Sequence, residues 1–77
     1  MKVNGYTIEP GADLRGANLA GMNLAGMNLA GANLAVAQFW NSVLTGADLS
    51  NADLHGANLE NARLAGANLA GADLVGA

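Results

Sequence analysis

The sequence predicts an all-β solenoid, a chain that winds repeatedly around its own apolar side chains. Leucine recurs at every fifth residue from Leu14 to Leu74, with Phe39 as the one substitution, and a small residue or methionine lies two positions before each of these centres. A period of five gives no apolar stripe on an α-helix, and in a flat strand it places successive leucines on opposite faces. The chain must therefore turn once per repeat, always toward the same side.

Residues 1–11 precede the repeat and predict an amino-terminal cap. A solenoid usually needs one, because its first coil would otherwise expose an unpaired edge. Val3–Tyr6 contains an Asn-Gly pair, which is a hairpin-turn signal, and Ile8 supplies an apolar contact. Met22 and Met27 of the first coil are expected to fill space beneath this cap, because methionine adapts to irregular gaps.

Residues 12–77 carry the repeat, and its centres form the predicted core. The thirteen inward-pointing centres are Leu14, Leu19, Leu24, Leu29, Leu34, Phe39, Leu44, Leu49, Leu54, Leu59, Leu64, Leu69 and Leu74. The residue two before each centre shares its inward direction, because side chains alternate along extended chain. Ser42 takes one of these inward positions, so we expect it to replace an alanine rather than to act as a nucleophile.

The corners of the solenoid are predicted at the residue two after each centre. Glycine or asparagine stands there in every repeat but one, and both residues adopt the positive φ that a tight corner often requires. Val36 is the exception, and β-branched residues resist that conformation, so the sequence predicts another turn type there. The residue before each centre is usually Asp or Asn, whose side chains hydrogen-bond to nearby backbone in turns.

This A(D/N)LxG pattern resembles the pentapeptide-repeat family. Gly16–Ala20 matches the family motif closely, and thirteen copies follow one another in phase over residues 12–76. The resemblance implies four pentapeptides per coil and a right-handed quadrilateral β-helix of about three coils. Residues twenty apart should then stack, so Phe39 is expected to lie between Leu19 and Leu59.

One stretch departs from the alanine-rich pattern. Val36, Gln38, Trp40 and Val43 fall at nominally outward positions of the second coil and form a candidate partner interface. An exposed tryptophan is a frequent anchor of protein interfaces. The alternative is local packing, in which Trp40 lies flat over Ala20 of the adjacent coil or beneath the amino-terminal segment.

The outward positions of the first two coils carry no charge. They are Asn18, Ala20, Gly21, Asn23, Ala25, Gly26, Asn28, Ala30, Gly31, Asn33 and Ala35. Soluble designs aim for about 25–35% charged residues on their surface, so this stretch is unusual. Such a neutral wall suits packing against another protein, and simple duplication of a low-complexity repeat explains it equally well.

The carboxyl-terminal repeats lack a capping signal like that of residues 1–11. Leu64, Leu69, Leu74 and Val75 are therefore the candidate self-association end. The family resemblance implies the same, because members dimerise through their carboxyl-terminal ends. We expect a homodimer or a part of a larger protein assembly, with protein partners of unknown identity.

Charge and hydropathy exclude two other kinds of partner. The net charge is −3 with only three basic residues, so binding to nucleic acid through a basic patch is not expected. The amino terminus lacks the apolar run of a signal peptide, and glycine and polar residues interrupt the uncharged run 16–47. The expected location is the cytoplasm or a virion or other assembly, without a transmembrane segment.

The sequence shows no catalytic constellation. His55 is the only histidine and should point outward, where Asp53 or Glu60 could pair with it, although a solvated surface histidine is the simpler interpretation. Asp53 and Asp73 should stack one coil apart, and two carboxylates alone do not make a metal site. The sequence therefore predicts no enzyme, no metal and no cofactor.

The expected function is a non-enzymatic structural and protein-interaction module that self-associates and docks other proteins, for example as a small decoration protein of a virion shell. The alternative, from the family resemblance, is a DNA-mimicking inhibitor of a type II topoisomerase. Duplex DNA carries one negative charge per about 1.7 Å, so a mimic about 16 Å long needs roughly nine. The net charge of −3 falls well short of that density.

Overall fold

The structure is a computed structural model and describes residues 2–77; Met1, the first residue of the predicted cap, lies outside the described residues. From Asp13 onward the chain forms parallel pairs between residues twenty apart, ending with Asp53 and Asp73. Each pair is a single-residue bridge, because the chain soon turns again. A twenty-residue period with a turn every five residues gives four-sided coils, as the family resemblance implies. Residues 2–77 include no helix long and apolar enough to span a bilayer.

Two short strands precede the coils and form an antiparallel hairpin, β1 (Lys2–Val3) and β2 (Tyr6–Thr7). The loop residues Asn4 and Gly5 have φ values of 54° and 82°, as the two-residue turns favoured in hairpins require. The side-chain amide of Asn4 donates to the carbonyl oxygen of Asn18 at 2.9 Å, which ties the hairpin to the first coil. The predicted hairpin is confirmed.

The hairpin and the first coil share the apolar core. Val3 and Tyr6 of the hairpin are half-buried and pack against it, and so are Met22 and Met27. Ile8 is buried in the same core. The methionines therefore fill space at the end of the solenoid that the hairpin occupies, as expected.

Backbone hydrogen bonds join each coil to the next in the slanted pattern of parallel strands. The N–H of Leu14 donates to Asn33 O at 2.8 Å, and the N–H of Asn33 donates to Ala12 O at 2.9 Å. The same pattern recurs from coil to coil, which aligns the centres in columns. Phe39 is fully buried, and its bonding register places it between Leu19 and Leu59 as predicted.

Every corner uses a backbone with positive φ at the residue two after the centre. The prediction of another turn type at Val36 was wrong, because Val36 has φ 52° like its glycine and asparagine counterparts. Its N–H donates to His55 O at 2.9 Å, and the N–H of Ala37 donates to Leu34 O at 3.1 Å, as at other corners. The coil-to-coil bonds fix the corner and hold Val36 in a conformation that costs about 1–3 kcal/mol.

The Asp and Asn residues before the centres act as predicted. The side-chain oxygen of Asn23 accepts the N–H of Ala25 at 3.1 Å, and Asp73 accepts the N–H of Val75 at the same distance. This short local bond satisfies a backbone donor at the start of each corner. The polar position is therefore explained by turn chemistry along most of the solenoid.

Candidate interaction surfaces

The four corners divide each coil into four faces, two of which matter for function. The histidine face comprises residues 12–15, 32–35, 52–55 and 72–75, and the tryptophan face comprises residues 17–20, 37–40 and 57–60. On each face the residue before and the residue after the centre point outward, because extended chain alternates its side chains. The corner that contains Val36 separates the two faces in the second coil.

Three of the four residues of the candidate partner interface lie together. Gln38 and Trp40 are on the tryptophan face, and Val36 is at the corner where that face begins; we call these three residues the Trp40 surface. Trp40 is 44% exposed and Val36 is 39% exposed, and the side-chain amide of Gln38 donates to Val36 O at 3.3 Å. Val43 lies beyond the corner at Asn41, half-buried on the next face, so it does not extend this surface.

Trp40 occupies the middle of its face. The N–H of Gly21 donates to Trp40 O and the N–H of Asn41 donates to Glu60 O, both at 2.9 Å, so Ala20 and Glu60 flank Trp40 on the adjacent coils. Somewhat more than half of Trp40 is covered by the protein, while the remainder faces solvent. The ring is thus partly packed and partly available, and its role as an interface anchor stays a prediction.

The neutral wall is less uniform than the sequence predicts. Ala25 is exposed, but Ala35 is fully buried although it was expected to point outward. Its neighbours on the adjacent coils are Arg15 and His55, both much larger than alanine, and this explains why no surface remains at Ala35. The uncharged wall therefore does not extend across the histidine face of the second coil.

The last coil presents a partly apolar edge. Leu64 and Leu69 are half-buried, Leu74 is 41% exposed and Val75 is 77% exposed, whereas the centres of the second coil are fully buried. The N–H of Leu44 donates to the next coil, but the N–H groups of the three late leucines have no backbone acceptor within residues 2–77. The candidate self-association end thus combines apolar side chains with N–H groups that have no backbone acceptor in the described part of the chain.

The histidine face brings charged side chains together. Nδ1 of His55 lies 2.6 Å from Oδ1 of Asp53, and because an ionised carboxylate only accepts, the ring N–H donates. The backbone N–H of His55 and then this ring bond lower the pKa of Asp53. Asp73 lies opposite Asp53 on the next coil, as expected. Glu60 lies beyond the corner at Gly56, on the tryptophan face.

One polar side chain, that of Ser42, lies inside the core, as the sequence predicts. Ser42 is fully buried at the inward position expected for it, and its hydroxyl oxygen has no hydrogen-bond partner within residues 2–77. The only sequence signal is a serine where most repeats have alanine. This hydroxyl is a cost to stability, because a buried polar group without a partner loses its bonds to water.

Comparison with protein families identifies the chain. The family model described as "Pentapeptide repeats (8 copies)" matches residues 11–46 and 42–77. The chain belongs to the pentapeptide repeat family, and its fold is the right-handed quadrilateral β-helix. No curated protein matches the sequence.

Two solved structures of pentapeptide repeat proteins are similar to the chain. Rfr23, from the cyanobacterium Cyanothece 51142, is 34% identical with a TM-score of 0.81, and the match covers 83% of this chain and 44% of Rfr23. A protein of the Arabidopsis thaliana thylakoid lumen is 32% identical with a TM-score of 0.67, and the match covers 83% of this chain and 51% of that protein. This chain thus spans about half the length of the solved structures it matches.

Proposed function

We propose that this chain is a non-enzymatic structural and protein-interaction module, a short rigid β-solenoid that docks another protein through the Trp40 surface and self-associates through its last coil. The observation that carries the proposal is the 44% exposure of Trp40 on a face that the hydrogen-bond ladder holds rigid. A large apolar ring on a fixed backbone is the kind of residue that dominates binding energy at protein interfaces.

The surroundings of Trp40 favour a protein partner. The ring projects from a run of uncharged residues, 16–47, so contact with a partner would remove few charges from water. Val36 adds a second exposed apolar side chain, and the backbone of both residues is bonded to neighbouring coils. Docking there would immobilise few groups beyond those that the fold already holds in place, so the entropic cost of binding stays low.

The last coil supports self-association. Edge strands with free backbone groups pair readily with other strands, and Leu64, Leu69 and Leu74 offer apolar area beside those groups. A second copy of the chain that packs against this edge would shield both the backbone groups and the apolar side chains from water. Such a homodimer leaves the Trp40 surface free for another protein, for instance in a larger assembly such as a virion shell.

The docking proposal is tested by replacing Trp40 with the photo-cross-linker p-benzoylphenylalanine. Ala70 provides the control position, because it is exposed on a different face, away from the tryptophan face. We expect a discrete adduct from position 40 in the native cell extract and none from position 70. Adducts of the same mass from both positions would contradict a specific surface at Trp40.

Trp40→Ala separates docking from local packing. If Trp40 is an interface anchor, the variant keeps the wild-type circular dichroism spectrum while co-purification of the cross-linked partner is lost. A melting temperature lowered by several degrees, with co-purification unchanged, would show that the ring only packs on its own solenoid.

Duplex mimicry makes a different prediction. The chain has three basic residues and a net charge of −3. A DNA duplex about 16 Å long carries roughly nine negative charges. We therefore expect no inhibition of gyrase supercoiling at high micromolar concentrations of protein. Inhibition at low micromolar concentrations would favour the topoisomerase inhibitor over the docking module.

A further inference from the structure

The histidine face brings three side chains with metal-ligating atoms to one place. Asp53, His55 and Asp73 each offer one ligand atom, and these three atoms lie within 4.8 Å of one another. The arrangement follows from the fold: Asp53 and His55 are two residues apart on one face, and Asp73 lies opposite Asp53 on the next coil. The register of twenty residues per coil is therefore what brings a third ligand atom, from Asp73, to the Asp53–His55 pair.

The electrostatics of this cluster favour a cation. Asp53 and Asp73 are paired directly across the ladder, and like charges placed opposite each other destabilise a sheet. Within residues 2–77 the only basic side chain within 4 Å of a carboxylate is that of His55, beside Asp53, so Asp73 has no basic partner at that distance. Arg15 is the remaining basic group on this face, and it lies on the first coil, two coils before Asp53.

We propose that Asp53, His55 and Asp73 bind a first-row divalent transition metal ion such as Zn²⁺. The imidazole selects this class, because Mg²⁺ and Ca²⁺ prefer oxygen ligands alone. Solvent completes the coordination, since the two residues of the Asp53–His55 pair have side chains that are each 42% exposed. The site is independent of the Trp40 surface, which lies around the corner.

The short bond between Asp53 and His55 must open when a metal ion binds. A metal ion on Nδ1 takes up the lone pair of that nitrogen, so the neutral ring carries its single proton on Nε2, and shared coordination replaces the hydrogen bond to Oδ1 of Asp53. Ligand atoms that are each about 2.1 Å from one metal ion in tetrahedral geometry are about 3.4 Å apart, so Nδ1 and Oδ1 need to separate by roughly 0.8 Å from 2.6 Å.

Isothermal titration calorimetry with Zn²⁺, on protein freed of any affinity tag, tests the site. We expect one ion per chain and a higher melting temperature with Zn²⁺, because the ion binds the folded state. Asp73→Asn and His55→Gln should each weaken binding about tenfold or more. Asp13→Asn is the matched control, because Asp13 lies on the same face outside the cluster, and its variant should bind like the wild type.

Three results would overturn the proposal. Absence of Zn²⁺ binding by the wild type up to about millimolar concentration removes the site. Unchanged affinity in Asp73→Asn shows that the three side chains do not act together. Equal affinity for Mg²⁺ shows that the carboxylates attract any divalent ion and that His55 selects none.

Discussion

Ser42→Ala should make the protein more stable. The Ser42 side chain is fully buried, and its hydroxyl has no hydrogen-bond partner within residues 2–77. It lies in an inward column between Met22 and Ala62, and alanine is the usual residue at this position of the repeat. Removing the hydroxyl oxygen therefore removes an unsatisfied group without changing the shape that the core normally accepts.

The expected gain is the difference between two terms. A buried polar group left without a partner costs about 1–3 kcal/mol. The space left by one heavy atom is at most about the size of a methyl group, and a void of that size costs about 1 kcal/mol. The net stabilisation is thus about 1 kcal/mol, which for a domain of this size corresponds to a rise of roughly 4–8 °C in melting temperature.

Thermal unfolding followed by circular dichroism measures this change. Ser50→Ala is the matched control, because the Ser50 hydroxyl donates to Oδ1 of Asp48 at 2.7 Å and its loss should lower the melting temperature. The same substitution should therefore have opposite effects at the two positions. A melting temperature that falls in Ser42→Ala as it does in Ser50→Ala would refute the reasoning, since it would mean that the Ser42 hydroxyl is satisfied in the folded protein.

Three other substitutions test the core, a corner and a surface carboxylate. Leu49→Asp places an unpaired charge in the fully buried ladder and should abolish the β-type circular dichroism spectrum at 25 °C; a native spectrum and melting temperature would contradict the inward ladder. Val36→Asn should raise the stability by about 1 kcal/mol in urea unfolding, because asparagine tolerates the positive φ better than valine, and a loss of stability would show that the corner is not strained. The Ser50 hydroxyl and then its backbone N–H lower the pKa of Asp48 from 3.8, so this carboxylate stabilises the fold above that pH and loses its effect as the pH falls through the lower folded value. The melting temperature of the wild type should thus fall more steeply below about pH 4 than that of Asp48→Asn, and equal slopes would count against this bond.

The sequence predicts the solenoid well because one period of five controls core and corners together, while the register of twenty residues per coil follows from the family resemblance. Asn4 and Gly5 likewise specify the hairpin locally, since two consecutive positive φ values favour these residues. Val36 shows where local preference fails. The hydrogen bonds of the adjacent coils impose one corner geometry on every repeat, and they outweigh the intrinsic resistance of a β-branched residue to positive φ.

The surfaces are predicted less completely, because they depend on neighbours twenty residues away. Ala35 is outward by its place in the repeat, yet it is fully buried between the larger Arg15 and His55. The sequence indicates the pairs Asp53–His55 and Asp53–Asp73 separately. Their convergence on one set of ligand atoms depends on side-chain rotamers as well as on the register, and a repeat pattern does not specify rotamers.

Light scattering over a dilution series tests most directly whether the solenoid is a self-associating module. We predict a mass twice the 7.7 kDa of one chain that persists on dilution. Leu74→Asp, at an exposed leucine of the last coil, should reduce it to the monomer, while Ala70→Asp on a side face should not. A wild-type monomer at all concentrations, or a dimer that Leu74→Asp leaves intact, would contradict self-association through the last coil.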